Sequence, residues 1–238
     1  MDLNLPNSNI KYYQNIFNPK ESYYYYQYLR NLPNWEKREI IVANRKCTQN
    51  RLTCFYSTNA NNNYFYSGIN NTGYIFTHEL LEIKKKVEKA LNNKYEFNYC
   101  LLNYYEDGNQ NIGMHTDDEK DLKYPIIASV SLGAERFFDF HHKYDKSIKK
   151  RLKLENGSMV VMDGTTQKFY KHGVPVQKTI KTGRINLTFR VVKQLVKDSK
   201  KNIKNKKDIK RNYEIIKVMK FTDKQLKQNG KKFNKLSQ

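Results

Sequence analysis

Apolar and polar positions change their spacing near residue 97, and the change divides the chain into two regimes. Upstream, Leu80, Ile83, Val87 and Leu91 recur three or four residues apart, with Glu and Lys on the opposite face. That period predicts an amphipathic helix, and Thr77 stands where its N-cap is needed. Tyr23 to Leu29 is an aromatic-rich stretch that predicts another helix, closed by the Leu32-Pro33 break. Ile40, Ile41 and Val42 read as a strand. So does Tyr64-Phe65-Tyr66, which follows the Asn-rich loop 59–63 and ends at Ser67-Gly68. Residues 1–20 read as a loose polar lead-in.

Downstream the period is two. Strands are expected at 97–105, 126–132, 136–142, 151–155, 158–162, 168–176 and 184–192. Asn156-Gly157 joins two of them and reads as a hairpin turn. Short strands separated by turn residues predict a mainly β chain with flanking helices (α+β), a β-sandwich or jelly roll with the N-terminal helices on one outer face. After Val192 the alternation stops. Residues 193–238 hold 16 Lys or Arg against 4 Asp or Glu, a basic tail that is either a solvated helix or disordered.

Composition narrows the function classes. At 38% hydrophobic and 13% aromatic, most of the chain has the means to fold. No run of about 18 apolar residues is present, which excludes a transmembrane helix, and the N-terminus lacks a secretory pattern. Cys47, Cys54 and Cys100 are odd in number and contain no C-x-x-C pair, so a disulfide framework or zinc ribbon is not expected and an intracellular setting (nucleus, cytoplasm or viral replication site) is. The formal net charge of +21 points to nucleic acid as partner. A coding sequence biased toward Lys, Asn, Ile and Tyr is a second source of that charge.

Of the five histidines, His115 precedes Asp117 by two positions. On extended chain, residues i and i+2 share a side, so both can converge on one ion. A non-haem iron site needs a second imidazole, and His172 lies on a distant strand. Taken alone, H-x-D is a weak signal that reads more readily as a surface histidine beside an acidic turn. In Arg184-Ile-Asn-Leu-Thr-Phe-Arg190, Arg184, Asn186, Thr188 and Arg190 face one side of a strand and Ile185, Leu187 and Phe189 the other. Arginines turned into a small barrel need buried anions, which a dicarboxylate would supply. Turned outward, they would form an ordinary solvated face.

Together, Asn103-Tyr-Tyr105, His115-Thr-Asp117-Asp-Glu119, Ser129-Val-Ser-Leu-Gly133, His172 and Arg184 to Arg190 resemble the AlkB family of nucleic-acid dealkylating dioxygenases, with the spacing of its eukaryotic homologues 2 and 3. The resemblance covers roughly residues 35–192. It divides the chain into a lead-in and helix (1–34), a dioxygenase domain (35–192) and the basic tail (193–238), and implies a double-stranded β-helix. It implies Fe(II) held by His115, Asp117 and His172, with 2-oxoglutarate as cosubstrate, O2 as oxidant and ascorbate as reductant in vitro. Arg184 would pair with the distal carboxylate of 2-oxoglutarate, helped by Asn103 and Tyr105; Arg190, Asn186 and Thr188 would line the same pocket. Tyr64 and Tyr66 match the family's aromatic stacking segment, Asp118 and Glu119 would read the base, and Arg45 and Arg136 match positions near the substrate. The activity implied is oxidative removal of N-alkyl groups (N1-methyladenine, N3-methylcytosine) from DNA, by a monomer without a membrane partner. Action on RNA or a protein side chain, and nucleic-acid binding without catalysis, are the alternatives.

Overall fold

In the computed structural model, residues 1–193 are described, apart from 43–44, 60–62 and 67–68 and the side chains of 41, 42, 45, 63–66 and 69–72. The basic tail beyond 193 and the side chains of Arg45, Tyr64 and Tyr66 therefore lie outside the described parts. The chain opens with β1 (Asn9–Tyr13) and α1 (Pro19–Arg30), followed by β2 (Glu39–Val42), β3 (Arg45–Thr48), β4 (Leu52–Ser57), β5 (Asn63–Tyr66), β6 (Ile69–Thr72), β7 (Tyr74–Ile75) and α2 (His78–Ala90). Then come β8 (Tyr99–Tyr105), β9 (Ile112–His115), β10 (Leu122–Gly133), β11 (Arg136–His142), β12 (Lys149–Leu154), β13 (Ser158–Asp163), the single-turn α3 (Thr166–Phe169), β14 (Tyr170–Val174) and β15 (Arg184–Val192).

A large sheet runs β1-β13-β10-β15-β8-β4-β7 and a small one runs β12-β11-β14-β9. Their pairings are antiparallel except for the short β4–β7 contact. This is the jelly roll that the alternation predicts. Alternation explains what each face of the large sheet does. Ala128, Val130 and Leu132 of β10, Ile185, Leu187 and Phe189 of β15 and Cys100 and Leu102 of β8 form one apolar core with Leu29 of α1 and Leu80, Ile83 and Val87 of α2. The intervening residues face the other way, where Ile127, Val160 and Met162 meet Phe138, Phe140, Tyr170 and Val174 of the small sheet.

The helices carry their own stop signals. Thr77 accepts the Leu80 amide at 3.3 Å, the expected N-cap. At α1, Asn18 and Glu21 form a reciprocal capping box with Pro19 in the first turn, a local signature that places the helix start ahead of the aromatic stretch. Lys86 of α2 pairs with Glu21 and so ties the two helices together.

Three expectations are corrected. The lead-in is not loose, because β1 is an edge strand of the large sheet and pairs Asn9–Tyr13 with Met159–Asp163. The strand expected over 168–176 starts later, since α3 occupies its first positions. Asn156-Gly157 does not close a hairpin: β12 pairs with β11 in the small sheet and β13 with β10 in the large one, so the turn carries the chain between sheets. Gly157 takes φ +81° there, and a Cβ on it would clash with the Phe17 carbonyl oxygen and Ser22 Oγ. Gly157→Val should therefore destabilise the protein by roughly 2–4 kcal/mol through backbone strain and overpacking. Urea unfolding measures this, and an unchanged midpoint would show that the crossing is not constrained.

Candidate metal and anion site

The small sheet sets two imidazoles side by side. His172 of β14 pairs in register with His115 at the end of β9, and their ring centroids are 4.4 Å apart. Between His172–His115 and Val174–Ile112 the register slips by one residue on β9, a bulge of the kind that re-aims a neighbouring side chain. Asp117 lies two residues beyond His115. Its Oδ1 is 3.9 Å from His115 Nε2 and its Oδ2 is 3.8 Å from His172 Nε2. One ligand atom from each residue lies within 4.8 Å of the others, the only such group of three among the described residues.

The protonation states suit a cation. Nδ1 of His115 sits 2.8 Å from the Gly113 carbonyl, so it donates there and leaves Nε2 free to ligate. Burial works against a charged Asp117, but the Arg190 guanidinium outweighs it and holds the carboxyl down at about 2. Burial, and then neighbouring His115, lower His172 to about 3, which keeps this imidazole neutral. The decisive counter-charge is Arg190, whose Nη2 is 3.0 Å from Asp117 Oδ1 with both groups buried. Gln167 of α3 accepts the Asp117 amide at 2.9 Å and fixes the loop that carries the ligand.

A cavity between the sheets joins this triad to Asn103, Tyr105, Arg184, Asn186, Thr188 and Arg190, so the cofactor residues expected from sequence are brought together. Most of their polar groups are spent on each other. Asn186 donates to Ser129 Oγ and the Val130 carbonyl, while its Oδ1 accepts from Thr188 and Asn103. Arg51 holds Asn103 Oδ1 at 2.7 Å. Arg184 is the exception. It is fully buried and its Nη2 donates to Ser131 Oγ, yet Nε and Nη1 have no partner with hydrogen-bond geometry. Burial lowers its pKa to about 10, with Tyr105 offsetting part of that effect. A buried guanidinium with spare donors on a cavity wall is a receptor for a carboxylate, and a neutral-imidazole and carboxylate triad suits a divalent metal with open positions. The residues present therefore fit both groups.

The substrate positions divide. Asp118 is exposed and Glu119 half-buried, in the loop after β9 and next to a groove that also contains His115, Met114, Asn50 and Arg51. Arg136, expected near the substrate, is buried and donates to the carbonyls of Asp107, Gln110 and Pro175 and to Gln177 Oε1. It braces the loops flanking β9 and β14 and presents no donor to the surface. Sequence reasoning missed Arg51, Gln167 and Gly113. The first two act across long sequence separations, and the third acts through a carbonyl that every residue has.

A family model described as the 2OG-Fe(II) oxygenase superfamily matches residues 9–190. The Arabidopsis thaliana DNA oxidative demethylase ALKBH2 is 34% identical over 210 residues, covering 78% of this chain and 67% of that protein. The human alpha-ketoglutarate-dependent dioxygenase alkB homolog 3 is 33% identical over 66% of this chain and 57% of its own length. Human DNA oxidative demethylase ALKBH2 is 41% identical over 40% of each chain. The chain thus spans about two thirds or less of the length of these relatives. The solved structure of OsALKBH1 superposes with a TM-score of 0.55 at 17% identity, over 76% of this chain and 97% of that one, a likeness of fold.

Gln167→Leu removes the acceptor for the Asp117 amide and should weaken binding of Mn(II), a redox-stable stand-in for Fe(II), by on the order of 10-fold. Calorimetric titration reads this directly, and wild-type affinity would mean that the loop is held by other contacts.

Proposed function

This chain belongs to the 2OG-Fe(II) oxygenase superfamily and, within it, to the AlkB family, and we propose that it is an Fe(II)- and 2-oxoglutarate-dependent dioxygenase that removes N-alkyl groups from the bases of DNA. The observation that carries the reading is the convergence of His115, Asp117 and His172 on a cavity that also holds the spare donors of Arg184. A net charge of +21 favours a nucleic-acid substrate, and relatives named DNA oxidative demethylase favour DNA. The compartment is intracellular and the protein acts as a monomer. No helix among the described residues is long and apolar enough to cross a membrane.

His115, Asp117 and His172 would hold Fe(II), which with 2-oxoglutarate and O2 would supply oxidation of a substrate C–H bond, with succinate and CO2 as coproducts. The chain's own residues do the rest. Arg184 receives the distal carboxylate of 2-oxoglutarate, with Asn103, Tyr105, Asn186 and Thr188 shaping the cavity around it. Arg190 keeps Asp117 ionised and adds positive charge beside the triad. Tyr66 stacks on the extruded base, with Tyr64 beside it and His115 on the opposite side. Glu119 and Asp118 accept from the exocyclic amine. Their charge also favours N1-methyladenine or N3-methylcytosine, which are cations at neutral pH. Once the methyl carbon is hydroxylated, its C–N bond breaks and formaldehyde leaves. Arg45 and the Lys-rich segment 193–238 hold phosphates without reading sequence.

The test is mass spectrometry of a short DNA oligonucleotide containing N1-methyladenine, incubated with protein, Fe(II), ascorbate and 2-oxoglutarate. Loss of one methylene, dependent on 2-oxoglutarate and blocked by a chelator, is the expected result. Succinate without a mass change would keep the dioxygenase and remove this substrate; neither product would sink the reading. His115→Ala should abolish turnover while the metal-free protein melts near wild type. Arg184→Met should raise the KM for 2-oxoglutarate roughly 10- to 100-fold, the loss of charged hydrogen bonds to one carboxylate.

A further inference from the structure

The ladder between β10 and β15 opens at one place. Leu122 pairs with Val192 and Ile127 with Arg190, so five steps along β10 match two along β15. The surplus residues leave the sheet as a bulge in which Lys123, Tyr124 and Pro125 are exposed, Tyr124 by 41%. Bulges of this kind re-aim side chains that regular pairing would keep in the ladder. Here they build an interleaved patch. Lys123 Nζ lies 5.2 Å from the Tyr124 ring centroid, the Tyr95 ring stands 5.8 Å from that of Tyr124, and Lys94 Nζ lies 5.0 Å from Tyr95. Lys193 stands alongside, its Nζ donating to the Lys120 carbonyl.

Two grooves meet at this bulge. One includes Asp117, Asp118, Glu119, Lys123, Tyr124 and Lys168, and so begins at the loop that carries the metal ligand. The other includes the same Lys123 and Tyr124 and continues to Lys94, Tyr95 and Lys193. The shared pair makes them one track. Its acidic groups are Asp117, which is paired with Arg190, Asp118 and Glu119 at the site end and Glu96 at the far end, while the Tyr95 hydroxyl donates to Asp163 at 2.9 Å. Between them the track is basic and aromatic.

A base that reaches a buried metal must leave its stack, and the strand on either side is then locally unpaired. Such a strand needs a flat apolar platform for its bases and cations for its phosphates. We propose that the track from Glu119 through Lys123 and Tyr124 to Lys94 and Tyr95 binds a single-stranded segment of nucleic acid flanking the base presented to the metal, with Tyr124 as its stacking platform. The proposal rests on the nucleic-acid reading above and adds a substrate surface to it.

The test measures anisotropy of a labelled single-stranded DNA of about 20 nucleotides with the full chain, across a salt series. Lys94→Glu with Lys123→Glu should lower affinity at least about 10-fold and flatten the log–log salt slope by about one to two. Tyr124→Ala should cost roughly 5-fold or more with the salt slope kept, and Tyr124→Phe should restore binding. Turnover of an N1-methyladenine trinucleotide, whose ends lie one nucleotide from the lesion, should change by no more than about twofold. Thermal midpoints near wild type exclude misfolding of the variants. Unchanged affinity in both variants overturns the track, and so does a polyglutamate peptide that displaces the strand at equal charge. If the wild type turns over the trinucleotide while binding is unmoved by the variants, the track alone fails. If the variants lose binding but no protein shows turnover, the track stands and the dealkylation reading fails.

Discussion

Asp117 is a carboxylate with 3% of its surface exposed, lodged between two imidazoles and a guanidinium. A charge removed from water needs a partner of opposite sign in direct contact, or it neutralises and the site loses its anion. Arg190 meets that need from the large sheet. His115 and His172 come from the small one, and Gln167 fixes the intervening loop through the Asp117 amide. The two sheets are therefore joined at their polar interior by the same contacts that arrange the metal ligands. Arg190 both keeps Asp117 ionised and orients it toward the two imidazoles.

The rest of the fold makes such an interior tolerable. Each central strand of the large sheet sends its apolar residues toward α1 and α2 and its polar residues toward the small sheet. Arg136, Arg184 and Arg190 are among the largest fully buried side chains, and each is treated differently. Arg190 has a carboxylate, Arg136 has backbone carbonyls, and Arg184 keeps two donors unmatched. The Asn103–Asn186–Thr188 network, closed by Arg51 and Ser129, uses up nearby polar capacity and leaves that guanidinium to a ligand. A buried guanidinium with donors to spare is matched by a carboxylate better than by water.

Local rules made much of this readable along the chain. Alternation of period two marked β8, β10, β13 and β15, because successive side chains of a strand must face opposite ways. The same rule put His115 with Asp117 and aligned Arg184, Asn186, Thr188 and Arg190 on one side. Thr77 announced α2 because an unpaired helix start needs an acceptor, and the Asn18–Glu21 box shows the same logic for α1. Such signals act within a few residues, so the chain by itself determined these elements, the ligand types and the side of each of these strands that carries chemistry, whereas β1, β4, β9 and α3 were not read from it.

Partners distant in sequence were decided only by the tertiary structure. Asn156-Gly157 has the composition of a hairpin yet carries the chain between sheets, since pairing depends on which strands are already adjacent in space. The edge position of β1, the grip of Gln167 on Asp117, the capture of Arg136 by loop carbonyls and the outward bulge at Lys123 and Tyr124 share that origin. The sequence determined what each strand can offer on each face; packing decided which offers meet, because contact energy is realised between groups that only the closed fold brings within a few ångströms.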